Sequence, residues 1–169
     1  ENGLKVVLNG LGGDELFAGY DAYAKLQRWE RIKMLPKVGK YLPGGIHEKA
    51  DKLKKFSHIH TIDEYYAHYY TTFDQSALEM LFSDPVKHMA GTMAQTYNPD
   101  DYEFADDMEA LSFYNMRSYI GSHHVRTIDQ FTMHHSIEGR FPLLDHELVE
   151  LAFRIPSRLK IHNGRQKYI

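Results

Sequence analysis

Three glycines fall within four positions at Asn9-Gly10-Leu11-Gly12-Gly13-Asp14, directly behind the apolar run Val6-Val7-Leu8 and ahead of a helical pattern from Glu15 to Tyr20. Strand, tight glycine turn and helix, in that order, belong to a parallel α/β sheet. There, glycines let the backbone approach a ligand at the strand's carboxyl end, and a helix start supplies N–H donors. The turn is no Walker A loop, because it lacks the Gly-Lys-Ser/Thr ending, and its glycines are not spaced as in a dinucleotide fingerprint. By itself such a cluster is equally compatible with a plain turn. Asp14 and Glu15 add to it: at a helix start one carboxylate can cap the backbone and the other can reach a phosphate-bound Mg²⁺.

A second cluster lies far along the chain. From Arg126 to Asp145, two arginines, several carboxylates, Ser136 and the Pro142 turn are set among apolar residues. Charged groups in such surroundings must pair if they are buried. Glu138 and Arg140 therefore read first as an ion-paired scaffold for the turn before the last helix, with direct substrate contact as the other reading.

Other charged and metal-capable groups read more simply. Residues 25–55 are rich in lysine and arginine, a pattern able to meet a polyanion, but no nucleic-acid motif accompanies it and a solvated helical face is the better reading. The acidic run between Asp100 and Glu109 lacks the ligand spacing and central glycine of an EF-hand and reads as a helix start. The 11 histidines include the doublets His123-His124 and His134-His135. Adjacent residues on a helix point about 100° apart, so neither doublet can share one ion, and no His-Glu-x-x-His occurs.

The elements that carry these groups are mostly helical. Thr61-Ile62-Asp63-Glu64 has the form of a capping box and predicts a helix through about Thr71. Asp74 and Asp84-Pro85 predict two further starts. A long helix is expected from about Phe104 to Tyr119, burying Met108, Leu111 and Tyr114. Asp145 is expected to cap a helix over 146–154 that ends at Ile155-Pro156. The fold class is thus mainly α, with one short N-terminal strand and about six to eight helices.

The chain has 169 residues, 43% hydrophobic, with 20 basic against 23 acidic side chains. That composition is ordinary for one globular domain and excludes a disordered, collagenous or rod-like protein. With no cysteine, these residues offer no disulfide framework, thiolate zinc site or cysteine nucleophile, and a cytoplasmic setting is expected. No apolar run reaches the roughly 18–20 residues of a membrane span. The sequence opens almost directly on a strand pattern and stops as a new element begins, so a single-domain fragment, residues 1–169, truncated at both ends is expected.

Taken together, the two clusters resemble the synthetase domain of glutamine-hydrolysing asparagine synthetases, in the ATP pyrophosphatase (adenine nucleotide α-hydrolase-like) superfamily. The family pattern Ser-Gly-x-Gly-x-Asp-Glu-Leu-Phe-x-Gly-Tyr is similar to Asn9 through Tyr20. Its Met-x-x-Ser-x-Glu-x-Arg-x-Pro-x-Leu-Asp is similar to Met133 through Asp145, and its Leu-Lys…Gly-Arg-x-Lys-Tyr to Leu159-Lys160, Gly164-Arg165 and Lys167-Tyr168. Such a resemblance covers the later, C-terminal portion of an α/β synthetase domain.

It implies a parent enzyme in which ATP activates an acid as an acyl-adenylate and ammonia from an upstream glutaminase domain displaces AMP. Gly10 and Gly12 would line the nucleotide, Asp14 would bind Mg²⁺, and Lys167 would stabilise charge on the departing pyrophosphate. The expected partners are that glutaminase domain and a small-molecule acid acceptor, with no nucleic acid and no membrane. Leu11 stands where asparagine synthetases carry glutamate, so the acceptor can be aspartate or another acid. β-Lactam synthetases usually place tyrosine there. The family's Ser-Gly-Gly-x-Asp-Ser loop and the glutaminase cysteine do not occur in this sequence, so the 169 residues alone are expected to be inactive, with Lys167 a solvated side chain near a frayed end. The competing class is a helical binding module whose basic segment 25–55 meets a polyanion or a protein.

Overall fold

A computed structural model describes residues 3–33, 59–70, 80 and 102–169. The chain divides into two compact units, one formed by residues 1–28 and 105–169 and the other by residues 29–104. Among the described residues the backbone is mainly helical. The predicted starts at Asp74 and Asp84, and the basic residues 34–55, lie outside the described residues.

The first unit begins with strand β1, Val6–Leu8, then helix α1, Gly13–Leu16, and the start of α2, Asp21–Lys33. The helix expected from Glu15 to Tyr20 is therefore interrupted. Ala18 takes φ 55, and Gly19 N–H donates to the Asp14 carbonyl at 2.8 Å. That is the six-to-one hydrogen bond of a Schellman ending, which turns the chain out of α1 before α2 can start.

In the second unit α3, Ile62–Tyr70, starts where the capping box predicts. Glu64 N–H donates to Thr61 Oγ1 at 3.2 Å, while the Glu64 carboxylate accepts from Thr61 N–H at 3.3 Å and His60 N–H at 2.6 Å. These backbone donors hold the Glu64 carboxyl below its usual range. Buried Tyr65 packs on Trp29 with ring centroids 5.2 Å apart, and Trp29 Nε1 donates to the Ile59 carbonyl at 3.2 Å.

Back in the first unit, the expected long helix starts later and runs further than its pattern predicts. α4, Asp107–Tyr114, passes without a break in helical dihedrals through a π-helical segment, Asn115–His124, into α5, Val125–His134. The late start has a local cause. Asp106 Oδ1 accepts from Glu109 N–H at 2.9 Å and Glu109 reaches back to Ala105 N–H at 2.6 Å, a reciprocal cap built from two acids. Met108, Leu111 and Tyr114 are buried as expected, and with Leu16, Ala18, Tyr23 and Leu26 they supply the core of this unit.

The N-terminal strand is not alone. Strand β2, Glu138–Arg140, lies parallel to β1 with Val6 opposite Glu138 and Leu8 opposite Arg140. A 3₁₀ turn, Pro142–Leu144, leads to α6, His146–Arg154, whose first turn is capped by Asp145 accepting from Glu147 N–H at 3.0 Å. After Ile155 and Pro156 come α7, Ser157–Lys160, and a hairpin of β3, Ile161–His162, with β4, Arg165–Gln166. The expectation of one strand is thereby corrected. Three-residue and two-residue strands leave little alternation to read, and β2 in particular contains no large apolar residue.

Candidate active site

Parallel pairing of β1 and β2 brings the two sequence clusters together. Asn9 N–H donates to the Arg140 carbonyl and Glu138 N–H to the Lys5 carbonyl, both at 2.8 Å. The glycine turn therefore begins where β2 ends. Asn9 shapes that turn, its Oδ1 accepting from Leu11 N–H at 2.9 Å in an Asx turn.

The two glycines assigned to the nucleotide have different surroundings. Gly10 is exposed, and a side chain built on it would meet nothing within 4 Å. Its backbone is open to close approach by a ligand. Gly12 is buried at φ 102, and a Cβ there would run into Leu144, whose Cγ would be 3.2 Å away. Glycine at this position answers to the backbone angle and to packing against the Pro142–Leu144 turn.

Asp14 and Glu15 share the first turn of α1 and diverge. Asp14 is partly exposed, with its Oδ1 2.7 Å from Lys167 Nζ. The structure thus joins the residue expected to bind metal and the residue expected to act on pyrophosphate. Lys167 is not the solvated terminal side chain of the sequence-based expectation. Asn163 and Gly164 both take positive φ, 50 and 76, as a two-residue hairpin turn requires, and they fold β4 back on β3. Gln166 Nε2 then donates to the Tyr20 carbonyl at 2.6 Å, and Tyr168 N–H to the Lys160 carbonyl at 3.1 Å. Held on both sides, Lys167 takes φ 48 and reaches Asp14.

Gly19 and Tyr20 were quoted in the glycine motif without a role, and Glu15, expected with Asp14 either to cap the helix or to reach Mg²⁺, is instead turned into the core. Gly19 lies under the ion pair: a methyl group there would overlap both the Asp14 carboxylate and the Lys167 side chain. Glu15 is 1% exposed and accepts a hydrogen bond from the Tyr20 hydroxyl, while its backbone carbonyl accepts from Tyr23 Oη at 3.0 Å. Burial first, and then the Glu15 carboxylate, push the Tyr20 hydroxyl well above the usual tyrosine range, so it stays a donor. The spacing Glu-x₄-Tyr was a readable signal, because a buried carboxylate needs a donor and the nearest tyrosine is Tyr20.

Glu138 and Arg140 form the expected ion pair, at 2.9 Å, but both side chains are more than half exposed. Burial does not force this pairing; the two residues stand on the same face of β2, two positions apart. Among the described residues no group of three or more His, Asp or Glu side chains is placed to hold a metal ion by itself. A single carboxylate suits Mg²⁺ that arrives with phosphates, since that ion is commonly held by one or two carboxylates plus substrate oxygens. Asp14, accessible and beside a lysine, fits that donor set.

The paired strands bring a glycine turn and the Asp14–Lys167 ion pair into one site, and comparison with known proteins gives the family. The asparagine synthase family model matches residues 1–169, and the chain belongs to that family. It is 27% identical over 173 residues to asparagine synthetase [glutamine-hydrolyzing] 1 of Bacillus subtilis (strain 168), covering 97% of this chain and 27% of that protein. It is 29% identical over 179 residues to proteins of Mycobacterium bovis and Mycobacterium tuberculosis provisionally named as asparagine synthetases of the same glutamine-hydrolysing kind, covering 98% of this chain and 26% of theirs. The chain thus spans about a quarter of the length of these relatives. No solved structure matches.

Proposed function

We propose that this chain is the later part of a synthetase domain of the ATP-pyrophosphatase type, in an enzyme that adenylates a carboxylic acid and transfers glutamine-derived ammonia to it. The products are an amide, AMP and pyrophosphate. The observation that carries this reading is the 2.7 Å approach of Lys167 Nζ to Asp14 Oδ1 beside the open backbone of Gly10. An acid and a base from opposite ends of the chain meet at a glycine turn where phosphates can be held. Family membership supports the reaction class.

Each residue then has a physical task. Gly10 lets the nucleotide approach the backbone, and Gly12 holds the turn against Leu144. Asp14 would hold Mg²⁺, which when bound offsets the charge of the phosphates. Lys167 donates to phosphate oxygens whose negative charge grows as the bond to the departing pyrophosphate breaks, so its help is greatest in the transition state. Leu11 has neither a proton to exchange nor a charge for an ammonium ion, so other groups in the enzyme must serve the acceptor and ammonia. The acceptor is aspartate or another acid, and the setting is cytoplasmic with an upstream glutaminase domain.

The test is ATP–pyrophosphate exchange by the full-length enzyme against a panel of carboxylic acids that includes aspartate. Exchange that depends on one acid and on Mg²⁺, and falls sharply in a folded Asp14→Asn variant, is the expected result. An amide can cap a helix but lacks the charge that holds a divalent cation. Undiminished exchange in Asp14→Asn would reassign Asp14 to a local structural role.

A further inference from the structure

Lys167 is not preorganised by its own hairpin alone. Its neighbour Gln166 donates through Nε2 to the Tyr20 carbonyl at 2.6 Å, a contact spanning 146 positions of sequence. Tyr20 is itself fixed. Its hydroxyl donates to the buried Glu15 carboxylate, its ring stacks on Tyr23 at 6.4 Å, and Tyr119 of the π-helical segment meets it edge-on at 6.2 Å. Tyr23 in turn bonds the Glu15 carbonyl and accepts from Asn115 Nδ2, each at 3.0 Å.

We propose that Tyr20 and Gln166 are positioning residues that hold Lys167 over Asp14, with the buried Glu15 carboxylate anchoring Tyr20. This rests on the adenylation reading above. The geometry explains why a carboxylate is buried one residue from the one that pairs with Lys167. Asp14 and Glu15 start the same short helix, so fixing Glu15 in the core also fixes Asp14. The same Tyr20 that satisfies Glu15 presents its carbonyl to the segment carrying Lys167. Both members of the ion pair are thus referred to one rigid point. Lys167 at φ 48 needs such restraint, because a non-glycine residue in the left-handed region costs energy that its surroundings must supply.

The experiment uses the full-length protein with Gln166→Leu, Tyr20→Phe and Glu15→Gln, each checked for folding by circular dichroism. Two readouts are taken: the reductive-methylation rate of Lys167, read by peptide mass spectrometry with Lys25 as internal reference, and the kcat and KM for ATP in pyrophosphate exchange. A lysine released from a partly exposed ion pair should react about two- to fivefold faster. Gln166→Leu and Tyr20→Phe are expected to show that rise and to lose about tenfold in kcat with little change in KM, the mark of lost alignment. Glu15→Gln keeps an oxygen for the Tyr20 hydroxyl and should retain more of the rate than Tyr20→Phe. Unchanged Lys167 reactivity in folded Gln166→Leu would overturn the proposal. Faster Lys167 labelling with undiminished exchange in both Gln166→Leu and Asp14→Asn would uphold the positioning and remove the adenylation reading instead.

Discussion

Lys167 carries the sharpest consequence of the proposed adenylation, in which its charge would act on a group that changes during the reaction. In the structure its ammonium is satisfied by Asp14, and with about half of its side chain exposed the pair is worth little to stability. Replacing it should therefore leave folding nearly untouched while removing one electrostatic stabiliser from adenylation. We expect Lys167→Ala in the full-length enzyme to slow pyrophosphate exchange by about two orders of magnitude, the usual loss for one such group. Its KM for ATP should rise much less. Equal losses in rate and affinity would instead mean uniform binding of ground and transition states. Asp14 has a second meaning here, since one carboxylate serves both the lysine and the expected cation. Mg²⁺ is thus expected to loosen the pair and free Lys167 to reach phosphate.

Helix starts illustrate what can be read locally. Thr61 and Glu64, and Asp145 with Glu147, form hydrogen bonds within four residues, so sequence spacing predicts them and the structure contains them. Asp106-x-x-Glu109 is the same device in acidic form, and the acidic run around it was read as a helix start without singling out the cap. Asp106 does more than cap, because its Oδ1 also accepts from Ser157 Oγ at 2.9 Å, tying α4 to α7. We expect Asp106→Ala to cost about 1 kcal/mol or somewhat more of stability, the usual worth of an N-cap. Asp106→Asn should cost less, since its amide oxygen can still accept. Thermal unfolding of the two variants checks this, and equal midpoints for Ala and wild type would remove the cap from the account. Other elements lacked a local signal. β2 is held by its pairing with β1, the π-helical segment Asn115–His124 interrupts a helical pattern that continues on both sides of it, and the break at Ala18 sets an ordinary residue at positive φ. Asn163-Gly164 is the opposite case: the dipeptide is a standard hairpin signal, and reading it would have predicted the fold-back that gives Lys167 its place.

At the level of the whole molecule, the proposed adenylation needs more groups than these residues supply. Asp14, Lys167 and the glycine turn supply charge and an open backbone, yet this sequence contains no Ser-Gly-Gly-x-Asp-Ser loop to cradle pyrophosphate and no cysteine to release ammonia from glutamine. The parallel pair β1–β2 points the same way. Sheets of this kind are normally covered on both faces, whereas here Leu4, Val6 and Leu8 are 62%, 41% and 73% exposed. A surface of this kind suits burial against further protein, as expected for a segment that spans about a quarter of its relatives. Rate enhancement by alignment needs all reacting groups held at once, and raising the ATP concentration cannot replace a missing cradle. We therefore expect the purified 169-residue chain to show no measurable ATP–pyrophosphate exchange and no glutaminase activity, even with saturating Mg²⁺ and the acid used by the full-length enzyme. Robust exchange by the chain alone would place the complete adenylation machinery within these residues. It would also require phosphate-binding groups other than the two motif glycines, Asp14 and Lys167.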